Sequence, residues 1–305
     1  MHRGAGLAGI SHDETDPTSR QHPTVVEVID LHTHSTVSDG SDSPARVVEL
    51  AAQAGCSALA LTDHDRVDGI GAARTEAGRV GIELVAGCEL SCEWERGTMH
   101  LLAYFVEPGE GPLPDELVRL QADRSERNRA LVARLVELGL PVSEEEVAAE
   151  AGGSGAGRPH VAAVLVRAGA AGSIQEAFDR YLGKGGAAYV SKARLAPARA
   201  IGLVRESGAL PVLAHPGTLR LDPAGARSAV TELVGLGLVG LEAHYGRYSM
   251  AQRTELAGLA EDLGIVATGG SDYHGTYKPD LSVGTGTGDL CVPRRALEDL
   301  RARLL

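Results

Sequence analysis

Short apolar runs recur along the chain, and between them apolar residues return at every third or fourth position. The runs at 25–31, 58–61, 84–90, 99–106, 210–214, 239–243 and 265–269 have the length and apolar continuity of buried strands. The stretches separating most of them carry helical spacing. In SPARVVELAAQAG (43–55), Ser43 supplies an N-cap, Pro44 suits the first helical position and Gly55 closes the segment. AGARSAVTELVGLG (224–237) repeats that spacing. Alternating strand and helix units predict an α/β fold on a parallel sheet or barrel of about seven strands.

The rhythm breaks between the fourth and fifth runs. Residues 108–195 hold no strand pattern, but show a long amphipathic segment (113–138), a helix start at VSEEEVAAE, a glycine-rich AGGSGAGRPH and a further helix at SIQEAFDRYLG. This predicts a helical insertion over one barrel mouth. The expected organisation is a loose polar tail (1–23), a first barrel part (24–107), the insertion as a substrate-binding cap (108–195) and a second barrel part (196–305).

Composition narrows the partners. The formal charge of -12, from 29 basic and 41 acidic residues, argues against a broad footprint for duplex DNA. A polyanionic ligand would need metal ions or a focused arginine cluster in a cleft. The four cysteines form no CxxC pair, which disfavours a disulfide framework or a zinc knuckle. No apolar stretch resembles a signal peptide or a membrane span, so the expectation is a cytoplasmic protein with no membrane association and no obligate protein partner.

The chemistry gathers at the ends of the predicted strands. His32 and His34, in DLHTHSTVSDG, are two apart and would project from one face of a strand, with Asp39 on the loop beyond. His64 ends the second strand, Glu89 the third and His215 the fifth; His100 lies in the fourth, and Asp272 and His274 follow the last. A single strand-end histidine is most simply a solvated or hydrogen-bonded side chain. In a parallel barrel all strand ends meet at one face, so six histidines and three carboxylates would converge there. Imidazole and carboxylate without thiolate suit Mn, Zn or Fe. Nine ligands exceed one ion and suit two or three, with a carboxylate such as Glu89 bridging. Such ions activate water and clamp a phosphoryl group, so hydrolysis is the expected reaction.

With these residues in view, the chain resembles the PHP (polymerase and histidinol phosphatase) family of metal-dependent phosphoesterases. The resemblance runs through DLHTHSTVSDGSDSP, LALTDHD, AGCELS, HLLAYFV, GRPHVA, LAHPG and SDYHG, over roughly residues 26–285. It implies a distorted (β/α)7 barrel with the helical insertion between the fourth and fifth strands. It also implies a branch similar to nucleoside 3',5'-bisphosphate phosphatases that trim short RNA from the 5' end. By resemblance, His32, His34, Glu89 and Asp272 surround one metal, Asp39, His64 and Glu89 a second, and His100, His215 and His274 a third. Asp39 stands where several members carry histidine, which favours Mn over Zn. The residues expected to carry the reaction are His32, His34, Asp39, His64, Glu89 and Asp272, around a metal-held hydroxide that attacks phosphorus in line.

Other groups have two readings each. Arg158 and His160, in GRPHVA, open a helix after a glycine run. They suit either a substrate phosphate, which the resemblance favours, or a plain proline-initiated helix. Arg124 and Arg127 are expected on a solvated helix face, and Lys184 fits a turn or a phosphate contact equally. His244 and Tyr245, ending the sixth strand, should face the mouth, where His244 would contact substrate, for instance by stacking on a base. Asp30 and Asp65 flank ligands and would orient imidazoles. Asp63 fits that role or turn formation, and Ser38, Gly40 and Ser41 read as turn chemistry around Asp39. Alternatives that keep these residues are a histidinol-phosphate phosphatase and a metal-dependent nucleotide-binding module without turnover.

Overall fold

The structure, a computed structural model, describes residues 1–2, 27–152 and 155–304. The expected loose tail therefore lies, beyond its first two residues, outside the described residues, as do two residues of the glycine-rich stretch. Eight strands form one sheet in the order β7-β6-β5-β4-β3-β2-β1-β8. They are β1 (Val28–Thr33), β2 (Cys56–Leu61), β3 (Glu83–Cys92), β4 (Met99–Tyr104), β5 (Leu210–Leu213), β6 (Gly240–Tyr245), β7 (Val266–Gly270) and β8 (Val292–Pro293). The seven expected strands are all present, and the eighth is a two-residue strand antiparallel to the start of β1. A strand that short carries no periodicity for a sequence pattern to reveal.

Alternation within each strand builds the barrel. Ile29, Leu31, Ala58, Ala60, Val85, Leu102, Tyr104, Val212 and Val266 come from six strands yet share one buried cluster. Strands that are not neighbours meet in this way only inside a closed or nearly closed sheet. The Tyr104 hydroxyl crosses that interior to donate to the Leu31 carbonyl at 2.9 Å. The alternate residues Leu59 and Leu61 face outward onto the first two helices, α1 (Pro44–Gln53) and α2 (Ile70–Val80). Closure comes where the chain beyond β7 bonds to β1, from Asp272 N to His32 O at 2.8 Å and from His34 N to Tyr273 O at 2.9 Å. Gly270 allows the approach, since a Cβ there would sit 2.4 Å from the His32 backbone nitrogen.

One expectation fails within the sheet. β4 runs antiparallel to both β3 and β5, so the barrel is not uniformly parallel. Its residue His100 still reaches the mouth, because an antiparallel strand starts at the end where its neighbours finish.

Between β4 and β5 the described residues hold no strand. Up to residue 195 they form α3 (Pro112–Glu137), α4 (Glu144–Glu150), α5 (Arg158–Arg167) and α6 (Ile174–Ala177), the last running into a π-helical turn, Phe178–Leu182. Ser143 and Glu146 close a reciprocal capping box at the start of α4. Leu131, Leu135, Val161, Leu165 and Leu182 form a core of their own. α3 joins this core to the barrel, since its Leu113, Leu117 and Leu120 pack against barrel residues. The second part adds α7 (Pro197–Glu206), α8 (Pro223–Leu236), α9 (Met250–Asp262) and α10 (Arg295–Arg301). Leu297 and Leu300 of α10 join the interior cluster at the end opposite the mouth. No described helix is long and apolar enough to cross a membrane.

Candidate metal centre

The nine sequence-predicted ligands converge at one barrel end. His32 and His34 sit with their Nε2 atoms 3.1 Å apart. Asp272 Oδ1 lies 3.6 and 3.5 Å from those two atoms, and Glu89 Oε2 lies 3.4 and 3.2 Å from them. The other side of Glu89 serves different strands, with Oε1 2.8 Å from His100 Nδ1 and 3.0 Å from His215 Nε2. His64 Nδ1 is 3.1 Å from Glu89 Oε2, and its Nε2 is 3.8 Å from Asp39 Oδ2. His274 Nε2 is 3.3 Å from Asp39 Oδ1. Glu89 thus stands at the centre, and Asp39 gathers a separate flank.

These contacts fall into overlapping groups of donor atoms that all lie within 4.8 Å of one another: His32, His34 and Asp272; His32, Glu89 and His215; His64, Glu89 and His100; and His34, Asp39, His64 and His274. The grouping differs from the one implied by resemblance. His274 stands with Asp39 and His64, not with His100 and His215, because it follows the left-handed turn at Asp272 (φ +56°), which carries the chain back across β1.

The donor set fits divalent ions. The Nδ1 atoms of His64 and His100 are buried without a hydrogen-bond partner, although each lies close to a Glu89 oxygen. Lone pairs that close, and too poorly directed to hydrogen-bond, point toward a shared centre. Burial drives His64 toward its neutral form, only partly offset by Glu89 and Asp39, and burial does the same to His100 and His274. Neutral imidazole is the form that binds metal. Glu89 is held well below the usual carboxylate range against its burial, and with His64 and His100 neutral the charge that does so is that of His32. For Asp272, burial is outweighed by Lys278 and His32. For His34, burial is outweighed by Asp272 and Glu89, which lift it to about 9.

The surrounding groups depart from expectation more than the nine do. Glu242, which the sequence reading passed over, places Oε1 3.0 Å from His32 Nδ1. Asp30 accepts from Ser271 N, Gly284 N and His32 N rather than from a ring nitrogen, and so orients no imidazole. Asp65 is paired with Arg124 Nη2 at 2.5 Å and Lys192 Nζ at 3.5 Å rather than with a ring. Asp63 instead braces the Asp39 loop, accepting from the hydroxyls of Ser35 and Ser38 at 2.7 and 2.6 Å. The Tyr245 hydroxyl and Lys278 Nζ donate to Asp272 Oδ2 at 2.8 and 2.6 Å, leaving Oδ1 to the histidines.

His244 does not face the mouth. A β-bulge between Glu242 and His244 shifts the alternation by one residue, so Tyr245 meets the cluster and His244 lines an outer pocket with Met250 and Arg253 of α9. Lys184 is exposed, with Nζ 3.5 Å from the Glu95 carbonyl. His160 is buried at the start of α5, accepting from Gly157 N at 2.8 Å, and Gly157 lies against Asp39. Arg158 Nη2 donates to Val190 O at 2.8 Å, and its guanidinium lies over Tyr189.

Arg124 and Arg127 are not solvated; they are only 8 % and 6 % exposed. The buried stripe of α3 runs 113, 117, 120, 124, 127, 131, 135, so the two arginines occupy core-facing positions between two apolar patches. Arg127 Nε and Nη1, Arg124 Nε and Arg158 Nε are buried without partners. Burial, then the neighbouring Arg158 and Arg124, disfavour the charge on Arg127. Burial also lowers Lys192 to about 8, against the pull of Asp65. The mouth therefore carries a group of cations beside the cluster, with Arg124 and Arg127 buried and Arg158 and Lys192 half-buried.

A family model for the PHP domain matches residues 30–140. A 3',5'-nucleoside bisphosphate phosphatase from Chromobacterium violaceum is 32% identical over 287 residues, covering 91% of this chain and 98% of that protein. A 5'-3' exoribonuclease from Salmonella typhimurium is 32% identical over 249 residues, or 81% and 85% of the two chains. A phosphoribosyl 1,2-cyclic phosphate 1,2-diphosphodiesterase from Eggerthella lenta is 37% identical over 254 residues, or 81% and 94%. A crystal structure of a metal-dependent phosphoesterase from Bifidobacterium adolescentis superposes with a TM-score of 0.80 at 27% identity, over 91% of this chain and 96% of that one. Similarity of this extent, shared by sequence and by barrel, makes the chain a member of the PHP family of metal-dependent phosphoesterases, hydrolases of phosphoester bonds.

Proposed function

We propose that the protein is a phosphatase that removes the 3'-phosphate from nucleoside 3',5'-bisphosphates and also accepts short 5'-phosphorylated RNA. The observation that carries this reading is the cationic pocket of Arg124, Arg127, Arg158 and Lys192. Arg124 and Lys192 share one carboxylate, Asp65, while Arg127 and Arg158 beside them keep guanidinium nitrogens unpaired, and that excess of cations calls for an anionic ligand. The pocket adjoins Asp39 and His64, so a phosphate held there leaves a second phosphate of the same molecule at the cluster. A 5'-phosphate in the pocket serves a bisphosphate and the 5' end of an RNA alike. The names of the Chromobacterium and Salmonella relatives support both substrates.

In this reading the cap formed by residues 108–195 contributes Arg124, Arg127, Arg158 and Lys192, and His160 sits beside Asp39. His32, His34, Asp272 and Glu89 would hold one ion. Glu89 with His100 and His215 would hold a second, and Asp39, His64 and His274 a third. Asp39 gives the third group a hard carboxylate oxygen where several PHP members carry histidine, and this favours Mn. Such ions, when bound, supply an activated water and neutralise charge on the phosphoryl oxygens. The chain's own part is to fix the donors. Tyr245 and Lys278 hold Asp272 so that one oxygen faces inward. Asp63 holds the loop that carries Asp39, and the buried walls exclude bulk water from the reacting phosphate.

A second reading, hydrolysis of a cyclic phosphodiester, draws support from the Eggerthella relative. Protein reconstituted with defined metals and offered adenosine 3',5'-bisphosphate, adenosine 3'-monophosphate, 5'-phosphorylated and 5'-hydroxyl RNA, phosphoribosyl cyclic phosphate and histidinol phosphate separates the readings. The proposal expects orthophosphate and the 5'-monophosphate from the first compound, with the 3'-monophosphate much slower. Exclusive turnover of the cyclic compound or of histidinol phosphate would overturn it.

A further inference from the structure

We propose that Glu242 is a positioning residue that sets the tautomer of His32 and couples it to His215, so that both rings present Nε2 to the cluster. The inference rests on reading that cluster as a divalent-metal centre. Glu242 lies in β6, in the run LVGLEAHY, and is fully buried. Its Oε1 is 3.0 Å from His32 Nδ1, and its Oε2 accepts from the His215 backbone N–H at 2.8 Å. An ionised carboxylate only accepts, so Nδ1 of His32 carries a proton and Nε2 is the ring nitrogen left to serve the cluster. That Nε2 is the atom 3.1 to 3.6 Å from His34, Glu89 and Asp272.

The same side chain governs the opposite strand. His215 has a φ of +26°, a conformation that non-glycine residues avoid, and its N–H is the group Glu242 holds. The ring then reaches Glu89 Oε1 through Nε2 at 3.0 Å, with Nδ1 3.1 Å from the Thr218 hydroxyl. One carboxylate from β6 therefore fixes ligands from β1 and from the end of β5. A purely structural role accounts for it poorly. Among the described residues its one ionic neighbour is His32, with no Lys or Arg beside it, and a buried carboxylate so placed is costlier than an apolar side chain of the same size.

Glu242→Gln separates positioning from packing, because it keeps the volume while its single carbonyl oxygen serves one of the two N–H groups. Metal content after dialysis against graded chelator, read by plasma emission, should show affinity reduced about 10- to 100-fold. Long-range 1H–15N spectra of zinc-loaded, histidine-labelled protein should show the His32 Nδ1–H signal displaced from its wild-type position. Glu242→Asp, which keeps the charge, should restore part of the affinity, and it carries the same readouts if the glutamine variant fails to fold. Wild-type affinity together with an unchanged His32 Nδ1–H signal in zinc-loaded Glu242→Gln overturns the assignment. Wild-type protein that takes up no divalent ion overturns instead the metal-centre reading on which it rests.

Discussion

Replacing Arg127 with methionine gives the sharpest separation between a binding role and a structural one. The guanidinium is 6 % exposed, and two of its nitrogens, Nε and Nη1, have no partner in the free protein. Each buried unpaired donor costs about 1–3 kcal/mol, and the nearby Arg124 and Arg158 add like-charge repulsion. Methionine fills similar volume without either penalty, so the metal-loaded variant in phosphate-free buffer should melt at or above the wild-type temperature. Function should move the other way. A hydrogen bond between a charged donor and a phosphate oxygen contributes about 1.5–3 kcal/mol, so kcat/KM for a nucleoside 3',5'-bisphosphate should fall roughly 10- to 150-fold. p-Nitrophenyl phosphate has no second phosphate and should be hydrolysed as fast as by wild type. Calorimetry and steady-state phosphate release measure both sides. A lower melting temperature with kcat/KM unchanged for the bisphosphate would show that Arg127 packs the cap and binds nothing.

Three further outcomes follow from particular contacts. His34→Ala and Asp272→Ala should each abolish phosphate release while far-ultraviolet circular dichroism stays native; full activity in either variant removes the residue from the mechanism. Gly270→Ala would set a Cβ 2.4 Å from the His32 backbone nitrogen, so urea denaturation should show a loss of about 1–3 kcal/mol, and an unchanged midpoint would mean that the seam between β1 and β7 yields freely. Lys192, lowered to about 8 by burial, loses its charge as the pH rises through that value, so KM for the bisphosphate should rise above pH 8 and the rise should vanish in Lys192→Met. The stability sign is opposite: between about 8 and the ordinary lysine value of about 10.4 the unfolded chain binds more protons, so this group favours the fold increasingly as pH rises.

The candidate ligands were legible because each interrupts or ends an apolar run, and strand ends meet at one face whatever their order in sequence. The direction of β4 was also within reach. Runs 84–90 and 99–106 leave eight residues between them (91–98), too few for a parallel crossover, which needs a dozen or more. Charge hides Arg124 and Arg127, since a charged helix residue is ordinarily exposed, whereas the stripe 113, 117, 120, 124, 127, 131, 135 passes through both. Glu242 gave a comparable signal, a lone carboxylate inside a strand that is otherwise buried and apolar. The turning away of His244 gave none. It depends on a bulge that packs against Gly269, where an added Cβ would lie 2.4 Å from the His244 carbonyl oxygen, and such a contact exists only after β6 and β7 have paired.

Backbone strain is the part of the site that no residue pattern records, and it bears on why the mouth is rigid. Asp65, His215 and Asp272 all adopt positive φ, at +54°, +26° and +56°, and all three lie at strand ends beside the cluster. Each such conformation costs about 1–3 kcal/mol and persists only where its surroundings over-determine it. Here the surroundings are backbone and carboxylate contacts from other strands: Asp65 N to Glu89 O at 3.0 Å, Asp272 N to His32 O at 2.8 Å, and His215 N to Glu242 Oε2 at 2.8 Å. Two of these three restraints come from residues that are themselves candidate ligands, and the third comes from the residue that orients His32. The turns and the ligands therefore hold one another in place, so that displacing one donor loosens a strained turn on a different strand. Single substitutions in this ring should for that reason be strongly non-additive, and the double variant Glu242→Gln with His32→Ala should lose less metal affinity than the two single losses combined, the remainder reporting the hold of Glu242 on His215.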